Sequence, residues 1–210
     1  MKRIFTTPAL IVAALLGLSA CGTPLDVMRN ASISTIAPVI DAPTQDWSIT
    51  AVEIDVPRTL TVSEANSIKP VADIVWRGDP PGDRYDQIET LMTQALGPVL
   101  RPREGASTPV VVSLEVTRFH AVTERARYTV GGEHEIEFVL TVRHAETGEI
   151  LSGPRDVDLT FRAYGGRQAI EAEAQGITQT VRITARLQEW ARIEFPTPYF
   201  DLLTVAQVQN

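Results

Sequence analysis

Apolar residues recur at every second position in three long segments of the chain. In residues 110–122, Val110, Val112, Leu114 and Val116 share one parity, while Ser113, Glu115 and Thr117 share the other. In residues 133–144, Ile136, Phe138, Leu140 and Val142 alternate with Glu133, Glu135, Glu137 and Thr141. In residues 155–163, Val157, Leu159 and Phe161 alternate with Asp156, Asp158, Thr160 and Arg162. Successive side chains of a strand point to opposite faces, so the pattern predicts antiparallel strands with one buried and one wet face. Residues 145–149 (AETGE) supply the turn between the last two. A further strand is expected over 47–56. Its alternation slips between Ile49 and Val52, the mark of a bulge, and Pro57 closes it. A short strand is expected over 72–76, followed by a strong turn at 78–82 (GDPPG).

Two segments carry a helical period instead. Asp83 is a good N-cap with Asp86 three residues on, and Tyr85, Ile88, Met92, Ala95 and Val99 form one face widened by Leu91 and Leu96. Gly97-Pro98 stops this helix. A second, long helix is expected from about Arg167 to Arg192, with Ile170, Ala174, Ile177, Val181 and Leu187 near its inward stripe. Gly176 weakens its middle by about 1 kcal/mol relative to Ala. The order β-β-α-β-β-β-α predicts an α+β fold over residues 46–195. The expected form is a two-layer sandwich, a mostly antiparallel sheet of four to five strands covered on one face by two helices.

The ends follow other rules. Lys2 and Arg3 precede an apolar run from Ala9 to Leu18, the layout of a secretory signal. That run is about ten residues, and a membrane span needs roughly 20. Leu18-Ser19-Ala20-Cys21 resembles a bacterial lipobox. The resemblance implies cleavage before Cys21, a diacylglycerol on its sulfur and acylation of the new amino terminus. Cys21 is the sole cysteine of the chain. Gly22 follows it where an Asp would signal inner-membrane retention, so the resemblance implies the outer membrane, facing the periplasm. Residues 22–45, with Pro24, Pro38 and Pro43, read as a tether spanning a few tens of Å root-mean-square, at ~5–6 Å × √n. The tail 196–210 is apolar for a terminus. Tyr199, Phe200, Leu202 and Leu203 are its candidate partner-binding residues, whether for a groove of the same domain, another protein or a second copy.

Composition narrows the function. One Cys excludes a disulfide framework and any Cys-based metal site within the chain. The net charge of −7 becomes two units more negative when Lys2 and Arg3 leave with the signal. Such a surface argues against nucleic acid and against electrostatic binding to anionic headgroups, so the lipid must hold the protein at the bilayer. No Gly-x-Ser-x-Gly, Ser-x-x-Lys or His-Glu-x-x-His pattern occurs. No catalytic residue, metal or cofactor is expected.

Other clusters have plain readings. His120 and His134 would face each other across a hairpin centred near Arg127, with 112 opposite 142 and 116 opposite 138. A turn at Gly131-Gly132 would break that pairing unless a bulge intervenes, and satisfied strand-end histidines are the expectation. Asp79, Asp83 and Asp86 read as capping and solvation. Gly165-Gly166-Arg167 reads as a turn into the helix rather than a phosphate cradle. Glu135 and Glu137 read as charges guarding a sheet edge.

With the lipobox, Val56-Pro57, the stretches Val110–Phe119 and Glu135–Val142, the Gly148 turn and the closing helix in view, the chain resembles the auxiliary lipoproteins of ABC-type envelope transport systems. Those are the small periplasmic partners of lipid-trafficking MCE-domain proteins. The resemblance covers roughly residues 47–192. It implies a non-enzymatic accessory component with an envelope protein partner, and no catalytic residues. The segment 59–71, the polar connection Arg125–Gly132 and the apolar tail depart from that family, and the chain equally resembles an uncharacterised alphaproteobacterial lipoprotein family with a related fold. The other readings are a small-ligand or lipid-binding module using a groove between helices and sheet, and, last, an envelope hydrolase.

Overall fold

The computed structural model describes residues 46–196. The signal segment, Leu18, Ser19, Ala20, Cys21, the tether and the tail residues Tyr199, Phe200, Leu202 and Leu203 lie outside the described residues.

The elements are β1 (Trp47–Asp55), β2 (Ile74–Val75), α1 (Arg84–Leu96), β3 (Thr108–His120), α2 (Glu124–Arg127), β4 (Gly132–His144), β5 (Ile150–Asp158), β6 (Phe161–Ala163), α3 (Arg167–Ala174) and α4 (Gln179–Glu194). The sheet runs β1-β3-β4-β5, with β2 also on β3 and β6 also on β4. The α+β expectation holds, with more pieces than the periodicity resolved. Among the described residues the strands number six, and β1 and β2 run parallel to β3 while the other pairings are antiparallel. A parallel pair needs a long crossover. Here residues 56–107, carrying β2 and α1, supply it between β1 and β3.

The register of the central hairpin follows the hydrophobic pattern, with Val112 opposite Val142 and Val116 opposite Phe138. The slip expected in the first strand is present as a register shift between Ile49 and Ala51. Helices α1 and α4 pack on the apolar face. Val110, Val112, Leu114, Val116, Ile136, Phe138, Leu140 and Val142 from the sheet meet Ile88, Met92, Leu96, Ile183, Leu187 and Trp190 from the helices, all buried. Trp190 stands edge-on to Phe138 at 4.9 Å. Phe195 closes the end of α4 against Trp47 and Trp190 at 6.4 and 6.2 Å. Each such buried side chain contributes roughly 1.5–3 kcal/mol relative to exposure.

The expected long helix is two helices. Gly176 sits at φ +78, a left-handed conformation that ends α3, and Thr178 caps α4 by accepting from the Val181 N–H at 3.3 Å. The break resets the helical phase, so the expected stripe fails at four positions, exposed Ala174 among them. Ile170, Ile177 and Val181 are 54%, 40% and 50% exposed, while Ala169, Ala172 and Ile183 point inward. The expected strand over 155–163 is likewise divided. Asp158 Oδ1 accepts from the Thr160 N–H at 2.7 Å, and this short side-chain turn separates β5 from β6.

Candidate functional site: the cleft between α1 and α4

Asp83 caps α1 by accepting from the N–H groups of Tyr85 and Asp86. Arg58 bridges Asp83 and Asp86, and its hydrogen bond holds the Asp83 carboxyl below the usual range. Asp79 accepts from Trp76 Nε1 at 2.7 Å. These three carboxylates, read from sequence as capping and solvation, stand at one end of an open cleft of about 840 Å³. Leu91 and Ala95 form its floor, and Thr180 and Thr184 of α4 its far wall. The volume lies within the range of ligand sites, but each acid at the rim already serves α1, Arg58 or Trp76. Among the described residues no group of three or more His, Cys, Asp or Glu is placed to hold a metal.

The expected groove between helices and sheet is a packed layer instead. Ile88, Met92, Leu114, Phe138, Leu187 and Trp190 fill it, and the cleft opens on the solvent side of the helix pair.

The three histidines go to three separate places. The register shift between Val116 and Arg118 moves the end of the hairpin by one residue, so His120 lies opposite Glu135 rather than His134. His120 Nε2 is 3.0 Å from the Pro70 carbonyl oxygen. His134 pairs with Phe161 of β6 and lies against its ring at 5.0 Å. His144 Nδ1 accepts from the backbone N–H groups of Glu146 and Thr147, capping the β4–β5 turn.

Glu135 and Glu137 do not guard an edge, because β4 lies between β3 and β5. Glu135 receives hydrogen bonds from Lys69 and Arg118 on the wet face. Burial pushes its carboxyl up, but these two bonds outweigh burial and leave it below the usual range. Glu137 has Asp158 opposite it and no such donors, so burial first, and then Asp158, push its carboxyl up.

Gly165 and Gly166 form a turn, as expected, but for a packing reason. A Cβ on Gly165 would lie 2.3 Å from the Gly131 nitrogen, so the two chains cross in direct backbone contact. Gly166 N–H donates to the Arg127 carbonyl at 2.9 Å.

Sequence reasoning missed the most heavily bonded cation. Arg84, the first residue of α1, is 4% exposed. It donates to Glu64 Oε1 and Oε2 at 2.7 and 3.0 Å, to Gln87 Oε1 at 2.7 Å and to the Pro80 carbonyl at 3.2 Å. Arg77 joins Glu64 to Glu124 of α2. This network binds the segment 59–71, read only as an insertion, to both helices. A signal was present, because a cation in the first helical turn opposes the helix dipole and needs another reason to be there.

A family model of unknown function, DUF6778, matches residues 47–207. The chain belongs to DUF6778. The family region therefore begins at the first residue of β1 and runs past α4 into the tail. No curated protein matches the sequence. Among solved structures, this DUF6778 chain is similar to a Xanthomonas campestris protein of the DUF330 family at 14% identity and TM-score 0.40. That match covers 75% of this chain and 90% of the other. It is also similar to a Caulobacter crescentus CB15 protein provisionally described as a lipoprotein, at 20% identity and TM-score 0.21. There the coverage is 49% of this chain and 82% of the other. Among the described residues no helix is long and apolar enough to cross a membrane.

Proposed function

We propose that this DUF6778 protein is a non-enzymatic lipoprotein of the cell envelope whose folded domain binds another envelope component. One sequence observation carries the reading: Leu18-Ser19-Ala20-Cys21 behind a short, positively flanked apolar run, with the sole cysteine at the modification position. Several acyl chains give firm anchoring where one is marginal, at ~0.8 kcal/mol per buried methylene. Gly22 favours the outer membrane, and the tether lets the domain stand off the bilayer. The resemblance to auxiliary lipoproteins supports a place beside an ABC-type or lipid-trafficking complex. The rim carboxylates of the cleft are engaged as caps and ion pairs, which suits a binding surface better than acid–base chemistry.

The test is mass spectrometry of native material with envelope fractionation. The expected result is a mature chain starting at a triacylated Cys21 in the outer-membrane fraction, with Cys21→Ser retained as uncleaved precursor. An unmodified thiol with residues 1–20 attached overturns the anchoring. Crosslinking in intact envelopes should then recover a transporter or other envelope protein. A second reading, small-ligand or lipid binding, rests on the size of the α1–α4 cleft. Native mass spectrometry with envelope lipid extracts should show a bound species that Thr90→Trp, at an exposed position of the cleft wall, removes, and its absence speaks against this reading.

A further inference from the structure

A second, half-open space of about 20 Å³ lies where β4, α3 and the start of α4 meet. Arg127, His134, Glu173, Gln179 and Arg182 contribute to its wall. His134 is 1% and Gln179 5% exposed. Four buried atoms of these residues have no hydrogen-bond partner among the described residues: His134 Nδ1, Gln179 Nε2, Gln179 Oε1 and Arg127 Nε. Buried polar atoms are almost always paired, so four orphans on residues that line one space point to a shared partner.

Donor and acceptor counts identify its chemistry. Burial, reinforced by Arg182 and Arg127, pushes the His134 imidazole down to about 3, so the ring is neutral at neutral pH and one nitrogen accepts. With Nδ1 as that acceptor, the wall offers two donors, Arg127 Nε and Gln179 Nε2, and two acceptors, His134 Nδ1 and Gln179 Oε1. A water molecule has two of each. An anion would serve the donors alone, and Glu173, ion-paired to Arg127 at 3.1 Å, would repel it. Size agrees, because a water needs roughly 10–15 Å³ and two to four polar partners, whereas an oxyanion needs far more room. Arg182 roofs the corner. It lies 3.6 Å from the Tyr164 ring centroid and donates to the Arg162 carbonyl at 2.7 Å.

We propose that this corner holds one ordered water that joins His134 of β4 to Gln179, the first residue of α4, with Arg127 as a third partner. The site explains why a buried glutamine opens α4 and why a buried histidine is seated in β4. It also makes the junction after the Gly176 break a hydrated joint rather than an apolar one.

The test is a crystal structure of the mature chain near 1.5 Å, paired with NMR. The expected result is one solvent peak at hydrogen-bond distance, about 2.6–3.2 Å, from His134 Nδ1 and the Gln179 amide. In solution, the Arg127 Nε–H should show a cross-relaxation peak to a long-lived water. In Gln179→Met, which keeps the volume, both signals should vanish while circular dichroism is retained. A direct His134–Gln179 hydrogen bond with no peak between them overturns the proposal. So does anomalous scattering at the site after a bromide soak, or a peak and cross-relaxation that persist in Gln179→Met.

Discussion

At the scale of single residues, two titratable groups report on the fold from opposite directions. His134 is neutral in the folded state, its imidazole pushed down to about 3, against 6.5 when exposed. Below pH 6.5 the unfolded chain takes up a proton that the folded chain refuses. This contribution is therefore complete above pH 6.5 and is lost as pH falls toward 3, at up to ~1.4 kcal/mol per pH unit. Urea unfolding at pH 7.5, 6 and 5 should show that decline, and His134→Leu should flatten it. A variant whose profile runs parallel to the wild type would remove the argument. Glu137 behaves in the opposite sense. Its carboxyl is raised by burial and by Asp158 opposite it on β5, so its ionisation costs stability as pH rises above its unfolded value near 4.5. Like charges directly opposite on a sheet are destabilising, and Glu137→Gln should raise stability at pH 7 by about 0.2–1 kcal/mol. Equal midpoints for the two proteins at pH 7 would contradict this.

At the scale of elements, the connections are held by specific contacts that substitution can break. Arg84 is the hub that fastens the segment after β1 to the first turn of α1. Arg84→Met removes charge-assisted bonds worth about 1.5–3 kcal/mol, although half-exposed Glu64 regains some solvation. The expected outcome is a loss toward the lower end of that range, with faster proteolysis confined to residues 59–71. Cleavage elsewhere would point to a different role. The crossing of Gly131 and Gly165 is less forgiving. Gly165→Ala places a methyl 2.3 Å from backbone nitrogen, with no flexible side chain there to yield. A loss of about 1–3 kcal/mol is expected, typical of overpacking. Gly176→Ala meets no atom within 4 Å but keeps a strained positive φ, so it should cost only about 1 kcal/mol. Thermal melts of the two variants should therefore fall in the order Gly165→Ala below Gly176→Ala below wild type.

At the scale of the whole molecule, a sheet with one apolar face is covered by α1 and α4. Its other face carries ion pairs such as Arg143–Glu53. Exposed pairs of this kind contribute about 0–1 kcal/mol each, so the stability of the domain rests on the layer between sheet and helices. Raising ionic strength should then shift the unfolding midpoint little, whereas Trp190→Ala, beneath Phe138 and Phe195, should cost about 3–5 kcal/mol. A midpoint that drops steeply with salt would place more of the stability in the charged face. The cleft outside α1 and α4 and the hydrated corner under α3 lie outside this layer, so both can be altered while the fold is kept.

The sequence alone determined the α+β class, the β3–β4 register over Val112–Val116, the bulge in β1 and both ends of α1. Each of these follows from local periodicity, capping or a contiguous motif. Only the tertiary structure decided the parallel pairing of β1, the division of the last helix and the separation of the histidines. It also placed Glu135 on an interior strand and joined Arg84 to Glu64. Those features depend on which distant segments meet, and on one-residue shifts in phase that leave the local pattern almost unchanged. A slip of one residue turns a side chain to the other face of a sheet and a four-residue break rotates a helical stripe out of the core, so small local choices gain their meaning from long-range contacts.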